Sequence, residues 1–161
     1  MRLIASASTE VNVAVVDAFR YVADFSNMPQ WFPKIYHVDQ IAPPETQSKI
    51  HFIEHMKFPI LGVIQIPLVI DEFEENTKIA ISNRFPLLHP VSVAEFQSTG
   101  KNSCKIKWQM ISRYQHSFVS NLLFPLTRIT MATRGVSAMS NLKEQLESIN
   151  SVSDSASVGA V

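Results

Sequence analysis

Residues 103–114 alternate as only an extended chain with one buried face does. Cys104, Ile106, Trp108 and Met110 fall on one side, and Lys105, Lys107 and Gln109 on the other. Successive side chains of a strand point to opposite faces, so this segment is a half-buried strand. Its apolar face needs a covering layer and its edges need partners. The run before it, 91–98, is joined to it by Thr99-Gly100-Lys101-Asn102, a hairpin loop with glycine. After residue 114 the period changes. Leu122, Leu126, Ile129, Val136, Met139, Leu142 and Leu146 recur every three or four residues, which predicts a long helix with one apolar stripe. Pro125 predicts a start or a kink near it. Gly135, which costs a helix about 1 kcal/mol relative to alanine, predicts either close packing or a bend.

The rest of the chain supplies more strands. Residues 2–9 alternate modestly. Val15, Phe19 and Val22 then fall at helical spacing over 13–23, with Asn12 as a candidate N-cap. A second short helix is expected through Trp31, ended by Pro33. Strands are predicted at 34–41 and 48–57, with a turn at Pro43-Pro44, then at 61–73 and 77–84. Pro67 cannot donate to a ladder, which points to an edge or a bulge. Residues 85–90 read as a loop. The sum is an α+β architecture: about seven antiparallel strands, two short helices after the first strand, and a long C-terminal helix. One domain is expected over residues 1–149, with a disordered tail at 150–161.

Composition narrows the function classes. Hydrophobic residues make up 46% of the 161 and charged ones 17%, enough apolar material for a core. Fourteen basic and fourteen acidic side chains cancel. The two parts, residues 1–80 with 6 basic and 10 acidic and residues 81–161 with 8 and 4, differ only as −4 and +4. That excludes nucleic acid as an expected partner. Cys104 is the single cysteine, so neither an internal disulfide nor a thiolate zinc cluster is available. The most apolar stretch, Phe58 to Ile70, is 13 residues long and contains Pro59, Gln65 and Pro67. A membrane span needs about 20, so stable membrane insertion is not expected. The N-terminus carries no apolar leader, and a cytoplasmic location follows as the expectation.

A twisted antiparallel sheet curls around its covering helix, and a helix about 10 Å across does not fill a long concave face. A cavity between sheet and helix is therefore expected. Phe52, Met56, Ile106, Trp108 and Met110 would form its sheet wall, and Leu122, Ile129 and Met139 its helix wall. Glu54 lies between Phe52 and Met56 on the inward face. Desolvation would raise its pKa, a condition that suits acid–base work. Of the neighbours Asn83 and Arg84, one should point inward, and an inward Arg84 could orient a carboxylate or enolate oxygen. Tyr36 and Tyr114 could each bring a phenol to the cavity. His51 and His55 read H-x-x-x-H, but four residues of strand span about 13 Å, too far to share one zinc ion. No metal and no cofactor are expected. Cys104 reads as a small buried hydrophobe.

The segment Asn12 to Val38, NVAVVDAFRYVADFSNMPQWFPKIYHV, resembles the opening of the START-like superfamily in its polyketide cyclase/dehydrase-like (SRPBCC, Bet v 1-like) branch. The matching features are an apolar helix with Phe19 ending in Asp24, a short second helix, and then Trp31-x-Pro33. IDEFEENTKIAIS at 70–82, NSCKIKWQM at 102–110 and NLKEQLE at 141–147 extend the resemblance to roughly residues 3–148. It implies a helix-grip fold with a deep apolar pocket, beside which Trp31 would be an anchor. Members bind lipids, sterols, quinones, polyketides or plant hormones, and some cyclise or dehydrate poly-β-keto chains. The leading expectation is a protein that binds a hydrophobic small molecule. A cyclase or dehydratase using Glu54, Arg84, Tyr36 and Tyr114 is the alternative, and an interaction module with a plugged core is the third. The sequence leaves the oligomeric state unknown.

Overall fold

The computed structural model describes residues 1–41, 52–58, 62–83, 89–113 and 118–158. Strand β1 (Arg2–Val11) leads into helix α1 (Val15–Ala23), a 3-10 turn over Phe25–Asn27, and the short helix α2 (Met28–Trp31). Six strands follow: β2 (Ile35–Gln40), β3 (Phe52–Phe58), β4 (Gly62–Glu74), β5 (Lys78–Asn83), β6 (Pro90–Gly100) and β7 (Ser103–Ser112). Helix α3 (Phe118–Val158) closes the described chain.

The strands form one antiparallel sheet in the order β1-β7-β6-β5-β4-β3-β2. Six of them are a plain meander, and β1 adds itself to the last. The two strands adjacent in sequence, β1 and β2, therefore sit at opposite edges, and the helical segment between them crosses the full width of the sheet. Register shifts interrupt β1, β2, β4 and β6. Each such irregularity bends its strand and increases the twist, so the sheet curves. This is the helix-grip arrangement, with α3 laid along β1 and α2.

Where the residues are described, the strand expectations are met within a few residues; the turn at Pro43-Pro44, residues 48–51 and most of the loop at 85–90 lie outside the described residues. In β7 the agreement is residue by residue: Cys104, Ile106, Trp108, Met110 and Ser112 are all buried. Pro67 sits in β4, an interior strand and not an edge, where it faces Ile53 of β3; the described pairing of β4 with β5 begins at Leu68.

Three expectations are corrected. Asn12 does not cap α1, whose N-cap is Ala14 without a side-chain bond. Asn12 instead donates from its backbone N and its Nδ2 to Glu147 Oε1 at 3.0 and 3.2 Å, tying the end of β1 to α3. The helix also continues to Val158, past residue 150 where a tail is predicted. No glycine or proline lies between Val136 and Val158. Ser148 and Ser151 bond back to carbonyls of their own helix, so polarity alone does not end it.

The third correction is the apolar stripe of α3. Met139, Leu142 and Leu146 are buried, but Leu126, Ile129 and Val136 are 66%, 68% and 64% exposed. Steps of three residues each slip about 60° backwards on a helix turning about 100° per residue. Leu126 and Leu142 therefore lie about 160° apart. The inward face runs instead through Phe124, Met131, Arg134, Gly135, Ala138 and Leu142.

At Gly135 the backbone of α3 lies directly against Trp108 of β7. A Cβ built there would stand 2.6 Å from Cζ3 and 3.0 Å from Cε3 of Trp108. Trp108 is itself held by Phe32, with ring centroids 5.5 Å apart. The Gly135→Ala substitution gains about 1 kcal/mol of helix propensity but drives its Cβ into the Trp108 ring that Phe32 braces, and overpacking of this kind typically costs about 1–3 kcal/mol. A net lowering of Tm is expected in thermal unfolding. A rise in Tm would show that Trp108 yields freely.

Candidate functional site

Between the sheet and α3 lies a cavity of about 280 Å³. Its wall is apolar: Ile66 and Leu68 from β4, Ile79 and Ile81 from β5, Trp108 and Met110 from β7, and Met28 and Trp31 from α2. The alternation of the strands puts these side chains inward, and the helical segment crossing from β1 to β2 supplies the rest. Two charged residues line the same space, Glu54 from β3 and Arg134 from α3. They are only 5% and 6% exposed.

Among the described residues, no carboxylate pairs with Arg134. Its Nη2 donates to the Pro33 carbonyl at 2.7 Å. Its Nη1 reaches the sulfurs of Met56 and Met131 at 3.6 and 3.7 Å, which are weak acceptors. Its guanidinium lies 5.2 Å from the centroid of Phe32. Burial lowers the pKa of this arginine, and the charge of Glu54 opposes that shift. Glu54 shows the converse: desolvation raises it to about 7, against a smaller lowering by Arg134. The two feel one another's charge but form no ion pair.

Among the described residues, three buried side-chain polar atoms have no hydrogen-bond partner: Trp31 Nε1, Glu54 Oε1 and Arg134 Nε. All three residues line this cavity. Buried polar groups are normally satisfied, and each exception asks for a reason. Ligand sites in general combine apolar walls, which supply affinity, with a few polar groups, which fix orientation.

The predicted site residues separate accordingly. Trp31, Glu54, Met56, Trp108 and Met110 line the cavity. Phe52 packs edge-on against Phe25 at 4.7 Å, and Ile106 and Met139 are buried in the core, so these three support the cavity without lining it. Ile129 is corrected outright, because it lies on the exposed side of α3. Tyr36 is also corrected. It is 44% exposed on the outer face of β2, where its hydroxyl lies 3.5 Å from His55 Nδ1. The irregularity between Ile35 and His37 leaves Ile35 inward and turns Tyr36 out. Arg84, Tyr114, His51 and the side chain of Leu122 lie outside the described residues. Asn83, the neighbour of Arg84, does line the cavity.

His55 and His37 belong to that outer face. Their Nε2 atoms stand 2.7 Å from the two oxygens of Asp39, and these hydrogen bonds hold the Asp39 carboxyl below its ordinary pKa. No group of three metal-binding side chains forms among the described residues. Cys104 is fully buried and its thiol is pushed up to about 11 by desolvation, an inert state. Arg134 is the residue the sequence reading missed. Its spacing to Ala138 and Leu142, i+4 and i+8, places it on the face that Leu142 buries, and that was the available signal.

A family model described as polyketide cyclase/dehydrase and lipid transport matches residues 2–150. Several solved structures share the fold. The Zhui aromatase/cyclase from Streptomyces sp. R1128 superposes with a TM-score of 0.68 at 9% identity, covering 88% of this chain and 92% of that one. A START superfamily protein from Mycobacterium smegmatis gives 0.58 at 14% identity, covering 89% and 97%. The protein XoxI from Bacillus cereus gives 0.62 at 15%, covering 91% and 96%. No curated protein matches the sequence. No helix among the described residues is long and apolar enough to cross a membrane.

The Glu54 carboxyl makes stability depend on pH. The unfolded chain releases this proton near 4.5, and the folded one holds it to about 7. Between those values the folded state binds more protons, so stability falls as pH rises. The loss is complete above pH 7 and is about 3 kcal/mol at most. Glu54→Gln should remove it. Urea unfolding of both proteins at pH 5 and pH 8 is expected to show the variant gaining on the wild type at the higher pH, and parallel behaviour would mean Glu54 reaches water.

Proposed function

The chain belongs to the polyketide cyclase/dehydrase and lipid transport family, and we propose that it binds a hydrophobic small molecule in the cavity between its sheet and α3. The observation that carries this reading is the coincidence of an apolar cavity with the three unpartnered polar atoms of Trp31, Glu54 and Arg134. A protein with a plugged interior would have no use for either. The apolar walls provide a non-directional driving force of roughly 25 cal/mol per Å² of ligand surface removed from water. Arg134, Glu54 and Trp31 then decide which end of the guest points where. At about 280 Å³ the cavity falls just below the span of typical ligand sites, about 300 to 1,000 Å³. A single ring or a short acyl chain suits it better than an extended polycycle. The domain proposed to do this is the whole of residues 1–149.

One observation favours an enzyme of the cyclase or dehydratase type as the second reading. Glu54 is a buried carboxyl held at about 7, poised both to give and to take a proton near neutrality. Arg134 beside it would stabilise an enolate. In this reading Glu54 and Arg134 take the roles that sequence alone shared among Glu54, Arg84, Tyr36 and Tyr114.

Native mass spectrometry of the protein purified from its host tests the binding reading. A retained small molecule of low polarity is expected, and it should be absent from Ala94→Phe, which fills the cavity from β6. A ligand-free protein that also fails to bind an apolar fluorescent probe overturns the reading. A polyketide turned over by the wild type but only bound by Glu54→Gln would establish the enzyme.

A further inference from the structure

We propose that the cavity selects an amphipathic monocarboxylic acid, with the carboxylate of the ligand on Arg134 and Trp31 and its tail along Ile66, Leu68 and Met110. This rests on the cavity being a ligand site and goes further by naming the head group. Two of the three unpartnered atoms, Trp31 Nε1 and Arg134 Nε, are N–H donors on cavity-lining residues; protein atoms cover both, so a ligand acceptor reaches them through a small shift of the side chains. Arg134 is a buried cation whose described contacts are a carbonyl, two thioethers and an aromatic ring, all uncharged. A buried charge without a counter-ion is costly, and one negative ligand oxygen pair removes that cost through a charge-assisted bond.

The remaining group, Glu54, would repel an anion if ionised. It is neutral over much of the range below pH 7, since desolvation holds its carboxyl at about 7. In that form it is a third donor. The charged group facing it is Arg134 from α3, and the other polar residues lining the cavity are Asn83 from β5, Ser92 from β6, and Thr127 and Thr130 from α3, none of which titrates near neutrality. The cavity thus carries one positive charge when Glu54 is protonated. That balances one carboxylate and does not balance a doubly charged phosphate. A cationic head would meet Arg134 directly, and an alcohol would leave its charge uncompensated.

The test uses the full chain and the fluorescence of Trp31 and Trp108, its only two tryptophans, both on the cavity wall. Octanoate, octanol and octylamine are titrated below and above pH 7. Octanoate is expected to bind at least about tenfold more tightly than octanol below pH 7, with the preference shrinking above it as Glu54 ionises. In Arg134→Gln the acid-to-alcohol ratio should fall to within about twofold. Arg134→Lys should keep most of the preference, which separates loss of charge from loss of fold. Equal binding of acid and alcohol, or tighter binding of the amine, overturns the head-group inference and leaves the cavity reading intact. Failure of all three probes to bind overturns both. Should Arg134→Gln not fold, the wild-type comparison of the three head groups still decides.

Discussion

The contact between Gly135 and Trp108 sets how far α3 can settle onto the sheet, and the cavity is what remains. With no side chain at 135, the helix backbone rides directly on the indole. Trp108 is in turn braced by Phe32, and Phe32 by Trp31, with centroids 5.5 and 5.6 Å apart. The close approach therefore runs from α3 through one strand to the end of α2. It also places the residue next to Gly135 inside. Arg134 is buried because its neighbour is small enough to bring the helix down.

Burying Arg134 and Glu54 without pairing them works against the fold. A lone buried charge disfavours the native state by several kcal/mol even after relaxation, against a total stability of about 5–15 kcal/mol for a domain. The protein lessens the cost in ways visible at each residue. Glu54 keeps its proton to about 7. Arg134, which cannot lose its proton, is given the Pro33 carbonyl, two sulfurs and the face of Phe32. Stability alone would favour leucine or methionine at both positions, and the presence of two charged groups in an apolar wall is what the proposed ligand site rests on.

The fold was legible because its signals are local. β7 announces itself by alternation alone, and the meander follows from the short gap between the expected strands 61–73 and 77–84 and from the hairpin loop Thr99-Gly100-Lys101-Asn102. Glu54 was found for the same reason: period two fixes its face relative to Phe52 and Met56. Tyr36 was misplaced because the irregularity after Ile35 breaks that period, and a bulge leaves no mark in residue type. Ile129 was misplaced for a different reason. Leu126, Ile129 and Val136 are apolar at plausible intervals, yet successive steps of three wind the stripe round the helix. Only the sheet decides which side is inward, and it decides through Gly135. Arg134 escaped notice because a charged residue on a helix is read as solvated by default, and its burial is a tertiary fact.

The two charged residues are placed by contacts of very different sequence separation. Glu54 belongs to the meander, a set of strands paired with sequence neighbours. Arg134 arrives only when α3 docks across β1 and α2. Its bond to the Pro33 carbonyl joins residues 101 apart in sequence, and the Asn141 Nδ2 bond to the Trp31 carbonyl joins residues 110 apart. The cavity has no polar pole until the helix is seated. Anything that binds Arg134 and Glu54 together thus binds the docked helix and not the free one, and it stabilises the docked state by mass action. Affinity for the proposed ligand and the seating of α3 would in consequence be one equilibrium, with Gly135 at its mechanical centre and Arg134 at its electrostatic one.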